Sequence, residues 1–190
     1  MVADPKNFTR QAWTYDEVSS IEDDVRRELY DGEIIEMPSP SINHQDIILR
    51  LALLFAHWAS RFGGKAIISP VDLYISDRLY FIPDFVFYTS IQMEDEDVLR
   101  NPKRLTVPPA LIVEVLSEST ARNDRVRKLH AYAQFGVANY WLVDPAQQTL
   151  EAFALRDGLY QIVAAHEEAE VFAPATFPDL LISLPELFAP

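Results

Sequence analysis

The apolar positions change period along the chain, and each change marks a new element. Thr14-Tyr15-Asp16-Glu17-Val18, followed by Ile21 to Leu29, reads as an N-terminal helical region. The turn signal Asp31-Gly32 leads into strand-like Ile34 to Met37, which Pro38-Ser39-Pro40-Ser41 breaks. Ile47, Leu51, Leu54, Phe55 and Trp58 recur at three- and four-residue steps and form one apolar helical face. Ser41 or Asn43 is placed to cap that helix, and Gly63-Gly64 to end it. Ala66 to Ser69 with Val71 to Ile75 reads as one strand candidate interrupted by a proline, and Tyr80 to Tyr88 as a second.

The second half repeats the alternation. Residues 92–104 carry Glu94-Asp95-Glu96-Asp97 and then Arg100, Lys103 and Arg104, a solvated surface excursion. Ala110 to Leu116 is apolar almost without interruption, which predicts a strand buried on both faces. Asp124 to Phe135 reads as a helix with Val126, Leu129, Tyr132 and Ala133 on its apolar side and Gly136 as its C-terminal stop. Tyr140 to Val143 is another buried strand, and Leu150 to Leu155 pairs with Leu159 to Ala164 around Arg156-Asp157-Gly158. Pro178 to Leu187 predicts a short terminal helix or turn. This order predicts an α/β fold with a central mixed β-sheet flanked by helices, in one domain over residues 1–190.

Composition narrows the chemistry. None of the 190 residues is cysteine, which excludes a disulfide scaffold, a thiolate zinc site and a cysteine nucleophile. A formal charge of −13 argues against binding nucleic acid over the whole surface, although a local basic patch or a bound divalent cation can override the global sign. Met1 to Arg10 carries no signal-peptide or transit pattern, and the apolar run from Ile47 to Trp58 is too short to span a bilayer. A soluble, cytoplasmic protein with no membrane partner is the expectation.

Three residues stand out against their surroundings. Asp84 follows Pro83 inside an aromatic and aliphatic segment, where a carboxylate must be paired or bound to a cation; a strand end or an arginine partner would also explain it. Glu114 is flanked by Ile112, Val113, Val115 and Leu116, although glutamate is rarely buried unpaired. Lys128 lies four residues after Asp124, so the two can simply pair on one helix face. Because that helix follows the Glu114 strand after a short turn, Lys128 can also reach the strand's carboxyl end, where ligand sites of α/β sheets gather. Two carboxylates on neighbouring strands suit magnesium or manganese, and such an ion with a lysine suits phosphodiester hydrolysis. His44 and Gln45 open the first apolar helix and are candidates to line the entrance; Glu33, Glu36 and Asp72 are weaker candidates.

An ordered set of short motifs resembles a known family. It comprises Met37-Pro38-Ser39-Pro40-Ser41 with His44-Gln45, Ser69-Pro70-Val71-Asp72, Pro83-Asp84, and Val113-Glu114-Val115-Leu116-Ser117. It continues with Ser119-Thr120, Asp124 with Lys128, Tyr132, and Gly136-Val137 before Tyr140 to Asp144. Together they resemble the Uma-two family of restriction endonucleases, of the PD-(D/E)XK nuclease superfamily, from about Tyr15 to about Leu187. The resemblance implies a restriction-endonuclease-like core and a magnesium-dependent DNA endonuclease, with manganese as an alternative ion. It carries the metal-binding residues onto Asp84 and Glu114, and it makes a homodimer plausible. The superfamily lysine two residues after the glutamate is replaced here by Leu116, and the resemblance relocates its role to Lys128. A catalytically silent binding or regulatory module, favoured by the acidic charge, and a hydrolase of small phosphorylated compounds are the alternatives.

Overall fold

A computed structural model describes residues 12–189 apart from position 102; the polar opening stretch, residues 1–10, lies outside the described residues. Its elements are helix α1 (Tyr15–Ser19), strands β1 (Arg27–Tyr30) and β2 (Glu33–Glu36), and helix α2 (Ile42–Phe62). Strands β3 (Lys65–Ile68), β4 (Asp72–Ser76), β5 (Leu79–Phe81), β6 (Phe85–Tyr88), β7 (Arg104–Leu105) and β8 (Leu111–Val115) follow. The chain then forms α3 (Ala121–Asn123), a π-helical turn (Asp124–Lys128) and α4 (Leu129–Phe135) without a break. Strands β9 (Asn139–Asp144), β10 (Thr149–Arg156), β11 (Leu159–Glu167), β12 (Val171–Phe172) and β13 (Ile182–Ser183) and helix α5 (Leu184–Leu187) complete it.

The main sheet has six strands in the order β11-β10-β9-β8-β6-β3, and β8 and β9 form its parallel pair. A second sheet runs β2-β1-β5-β4-β7. Strand alternation sends the side chains of β6 and β8 to opposite faces. Phe85, Phe87, Leu111, Val113 and Val115 join the core under α2. Val86, Tyr88, Ile112 and Leu116 join the core shared with α4 and the second sheet. Glu114 has the parity of Ile112 and Leu116, so its carboxylate is delivered to the α4 side.

Helix α2 forms as its pattern predicts. The Ser41 hydroxyl accepts the His44 N–H at 3.2 Å, and Gly63, at φ 76°, ends the helix. Phe55 packs against Phe85, Phe87, Trp141 and Phe177, with ring centroids 5.0–5.9 Å apart. The first hairpin turns through Asp31 and Gly32, both at positive φ, the pairing of a tight two-residue turn. A Cβ on Gly32 would meet Ala12 Cβ at 2.4 Å, so glycine is required there.

Four expectations need correction. The helix read over Ile21 to Leu29 is replaced by β1, because Leu29 is wanted by the aromatic cluster of Tyr15, Val18 and Tyr80. The segment Tyr80 to Tyr88 is two strands in different sheets, split at Pro83, which cannot donate to a ladder. Asp84 therefore precedes β6 rather than lying inside it. The segment Ala66 to Ile75 divides in the same way between β3 and β4. Val126 is 61% exposed, because the wide π turn points Asp124 and Lys128 inward instead. The central strand Leu111–Val115, the β10–β11 hairpin and the Gly136 cap at φ 95° match the pattern reading.

Phe55→Ala should lower stability by about 3–5 kcal/mol in urea denaturation. Leu53→Ala, on the exposed face of the same helix, should stay within about 0.5 kcal/mol of wild type. Equal losses would contradict this packing of α2.

Candidate active site

The carboxyl end of β8 opens into a cavity of about 640 Å³, walled by the Pro38–Ser41 segment, the start of α2, the Ser117–Ala121 turn and Pro145. Asp84, Glu114, Lys128 and His44 all line it. The three principal residues and His44 are therefore brought together, whereas Gln45 and the weaker candidates Glu33, Glu36 and Asp72 are not. Gln45 is exposed on α2 and is not part of the wall. Glu33 and Glu36 sit on the β2 edge, and Asp72 accepts the Tyr15 hydroxyl at 2.7 Å in the second sheet.

Lys128 organises the deep end. Its ammonium lies 2.8 Å from Glu28 Oε1, 3.0 Å from Glu114 Oε1 and 3.3 Å from Asp124 Oδ1. All four side chains are at least 97% buried. The pairing of Asp124 with Lys128 is thus real, and so is the reach to Glu114. The π turn widens the helix and puts both residues on its inner side, a local distortion common at functional sites. The Asp124 carbonyl also takes the Tyr140 hydroxyl at 3.1 Å, which fixes the turn to β9.

Each carboxylate has a distinct setting. Glu114 Oε1 accepts from Lys128 and from the Tyr132 hydroxyl at 2.8 Å, while Oε2 takes no donor among the described residues. Asp84 Oδ2 accepts the Val115 N–H at 2.8 Å, and Oδ1 lies 3.1 Å from His44 Nε2. Glu28 Oε1 accepts the Ile82 N–H at 3.0 Å, tying the second sheet to the site. Asp124 Oδ1 is buried and close to the ammonium, but no hydrogen bond is aligned on it.

Three carboxylates therefore face one ammonium, with Asp84 close to Glu114, and the electrostatics follow from that. Burial holds the Glu114 carboxyl well above its ordinary range; Lys128 opposes the shift and the Asp84 charge adds to it. Burial likewise raises Glu28 against the pull of Lys128. For Lys128 burial works downward, but Glu114, Glu28 and Asp124 outweigh it and hold the ammonium well above its ordinary value. Lys128 stays charged at neutral pH, so it acts as a cation and hydrogen-bond donor and not as a base.

The donor set fits a hard divalent cation. Oxygen ligands predominate, negative charge is in excess, and Glu114 keeps an oxygen without a donor. Among the described residues no three histidine, aspartate or glutamate side chains converge as a ready ligand cage. Asp84 and Glu114 are the pair that fits, since Glu28 and Asp124 are turned to Lys128. Magnesium commonly takes one or two carboxylates and keeps several waters.

Comparisons with known proteins give the family and the fold. The model of the Uma2 (Uma-two) family, described as "Putative restriction endonuclease", matches residues 12–185. The chain belongs to the Uma2 family. An uncharacterized protein of Synechocystis sp. is 32% identical to this Uma2 chain over 136 residues, 70% of the chain and 67% of that protein. A crystal structure titled as a putative nuclease belonging to DUF820, from Anabaena variabilis, superposes with a TM-score of 0.74 at 18% identity. It covers 93% of the Uma2 chain and 97% of its own, and at that identity it shows the shared fold. The fold is restriction-endonuclease-like, as the resemblance implied, and family and fold together support a nuclease. No described helix is long and apolar enough to cross a membrane.

Glu28 does not stand out in the sequence, because Ile21 to Leu29 reads as a helix across it. Read as a strand, Arg27-Glu28-Leu29-Tyr30 would have shown a carboxylate at an inward position beside Leu29, the same signal that exposed Glu114.

Lys128→Met should cost about 3–5 kcal/mol of stability, because it leaves buried carboxylates without a counter-charge. Adding Glu28→Gln should recover part of that loss. The Glu28 and Glu114 pKa values are raised in the folded state, so their contribution is present at low pH and lost as pH rises through the folded values. The Lys128→Met protein should therefore regain stability as pH falls from neutral into the mildly acidic range, measured by urea denaturation across pH. An unchanged unfolding midpoint would contradict the network.

Proposed function

We propose that this Uma2 chain is a divalent-metal-dependent endonuclease that hydrolyses DNA phosphodiester bonds. The observation that carries the reading is the meeting of Asp84, Glu114 and Lys128 at the mouth of β8, on a restriction-endonuclease-like sheet. Asp84 and Glu114 would hold magnesium or manganese. When bound, that ion supplies positive charge to the scissile phosphate and acidifies a water.

The chain's own residues set up that chemistry. The Val115 N–H fixes one oxygen of Asp84, and His44, held in the first turn of α2, orients the other. Lys128 and Tyr132 both bond Glu114 Oε1, which fixes the rotamer and leaves Oε2 as the oxygen available for an ion. Lys128 keeps its proton; engaged by Glu28, Glu114 and Asp124, it holds Glu114 in position and tempers the excess negative charge beside which the scissile phosphate would sit. Glu28 and Asp124 set the position of Lys128 rather than touching substrate. The direct reach of His44 into the cavity supports an entrance role for it; Gln45, facing solvent, is left without one.

Purified wild type should nick supercoiled plasmid with magnesium or manganese and not with chelator. Asp84→Asn and Glu114→Gln should each lower the rate at least 100-fold, an order of magnitude set by lost transition-state charge stabilisation, while circular dichroism stays native. Cleavage in chelator, or full activity in both variants, would overturn the proposal. Absence of cleavage in every condition would favour the silent-module reading, which the complete engagement of Lys128 by carboxylates suits.

A further inference from the structure

One cation of the cavity wall is not used by the carboxylates. Arg26, in the stretch leading into β1, lines the cavity together with Pro38 and His44. Its Nη2 donates to the Pro38 carbonyl at 3.1 Å, and Nη1 reaches Ser69 Oγ at 3.5 Å. Among the described residues the Arg26 guanidinium bonds no carboxylate, so its charge is not cancelled within the protein. The other cation of the wall, Lys128, is held by three carboxylates. Arg26 is thus the group of the wall whose charge is still available to an anionic ligand.

We propose that Arg26 binds a backbone phosphate of the nucleic-acid strand, next to the phosphate that is cleaved. This deepens the reading of the site as a nuclease and rests on it for the class of ligand. Three observations support it. A guanidinium presents a planar fork of donors that matches phosphate oxygens, and two of Arg26's nitrogens are already held, so the group is pre-oriented. A polyanion approaching a chain of charge −13 needs a local positive point at the cavity. The deep end is a poor source of it, because Glu28, Glu114 and Asp124 already engage the Lys128 ammonium there.

The test is fluorescence anisotropy of a short labelled DNA duplex with the full chain, in calcium and over a range of salt. Wild type, Arg26→Ala and Arg26→Lys are compared, with thermal melting of each protein alongside. Arg26→Ala should weaken binding about tenfold and lower the slope of log affinity against log salt by about 0.9, one phosphate contact's worth. Arg26→Lys should keep the wild-type slope with weaker affinity, because a lysine retains the charge without the fork. Unchanged affinity in Arg26→Ala overturns the proposal. So does weaker affinity with an unchanged salt slope, which would mark Arg26 as a structural tie to Pro38, and so does wild type that fails to bind the duplex. Arg26-dependent binding in a wild-type protein that cleaves no plasmid would overturn the cleavage reading alone and leave the phosphate site standing.

Discussion

The buried ammonium of Lys128 is the constraint around which the site is built. An isolated charge cannot be taken out of water at tolerable cost, so a lysine in this position demands carboxylates at hydrogen-bond distance. Glu28, Glu114 and Asp124 meet that demand. Each comes from a different part of the fold: β1 of the second sheet, β8 of the main sheet, and the π turn beneath them. One interaction therefore sets the relative position of two sheets and a helix. It also over-supplies negative charge, and that surplus makes the neighbouring Asp84–Glu114 pair suited to a divalent cation.

The remaining architecture serves this arrangement. The aromatic core around Phe55 clamps α2 onto the main sheet, which holds His44 against Asp84. Pro83 breaks the chain between sheets and frees Asp84 to turn its carboxylate toward the Val115 N–H. Tyr132 and Tyr140 carry hydroxyls into the core where Glu114 and the Asp124 carbonyl need donors. Most buried polar groups here are satisfied by one another; Asp124 Oδ1 is held by charge alone, and Asn123 Oδ1 has no partner among the described residues. A polar network of this kind fixes a single geometry when its members are paired and is costly when one is removed.

The parts of the site legible in the sequence were those where polarity broke an apolar run. Glu114 between Val113 and Val115, and Asp84 between Pro83 and Phe85, are anomalies that need no tertiary knowledge to see. Lys128 was legible through its four-residue spacing from Asp124 and its position after the β8 turn. Glu28 was not, because Ile21 to Leu29 contains enough apolar residues at helical spacing to hide a four-residue strand. Val126 was misplaced for a related reason: a π turn shifts the phase of the helix, and an ordinary 3.6-residue period cannot register the shift. Long or strongly buried elements, α2 and β8 above all, carried their own signal. The split of Tyr80 to Tyr88 between two sheets depends on partners distant in sequence, and only the Pro83 break hinted at it.

Asp84 and the free oxygen of Glu114 are the proposed cation site; Glu114 is shared with Lys128, whereas Glu28 and Asp124 serve Lys128 alone. Electron paramagnetic resonance of manganese, titrated into wild type, Asp84→Asn and Glu28→Gln, addresses it most directly. Wild type should bind manganese saturably, Asp84→Asn should lose that binding, and Glu28→Gln should retain it. Binding that survives Asp84→Asn, or that disappears only with Glu28→Gln, would contradict the assignment.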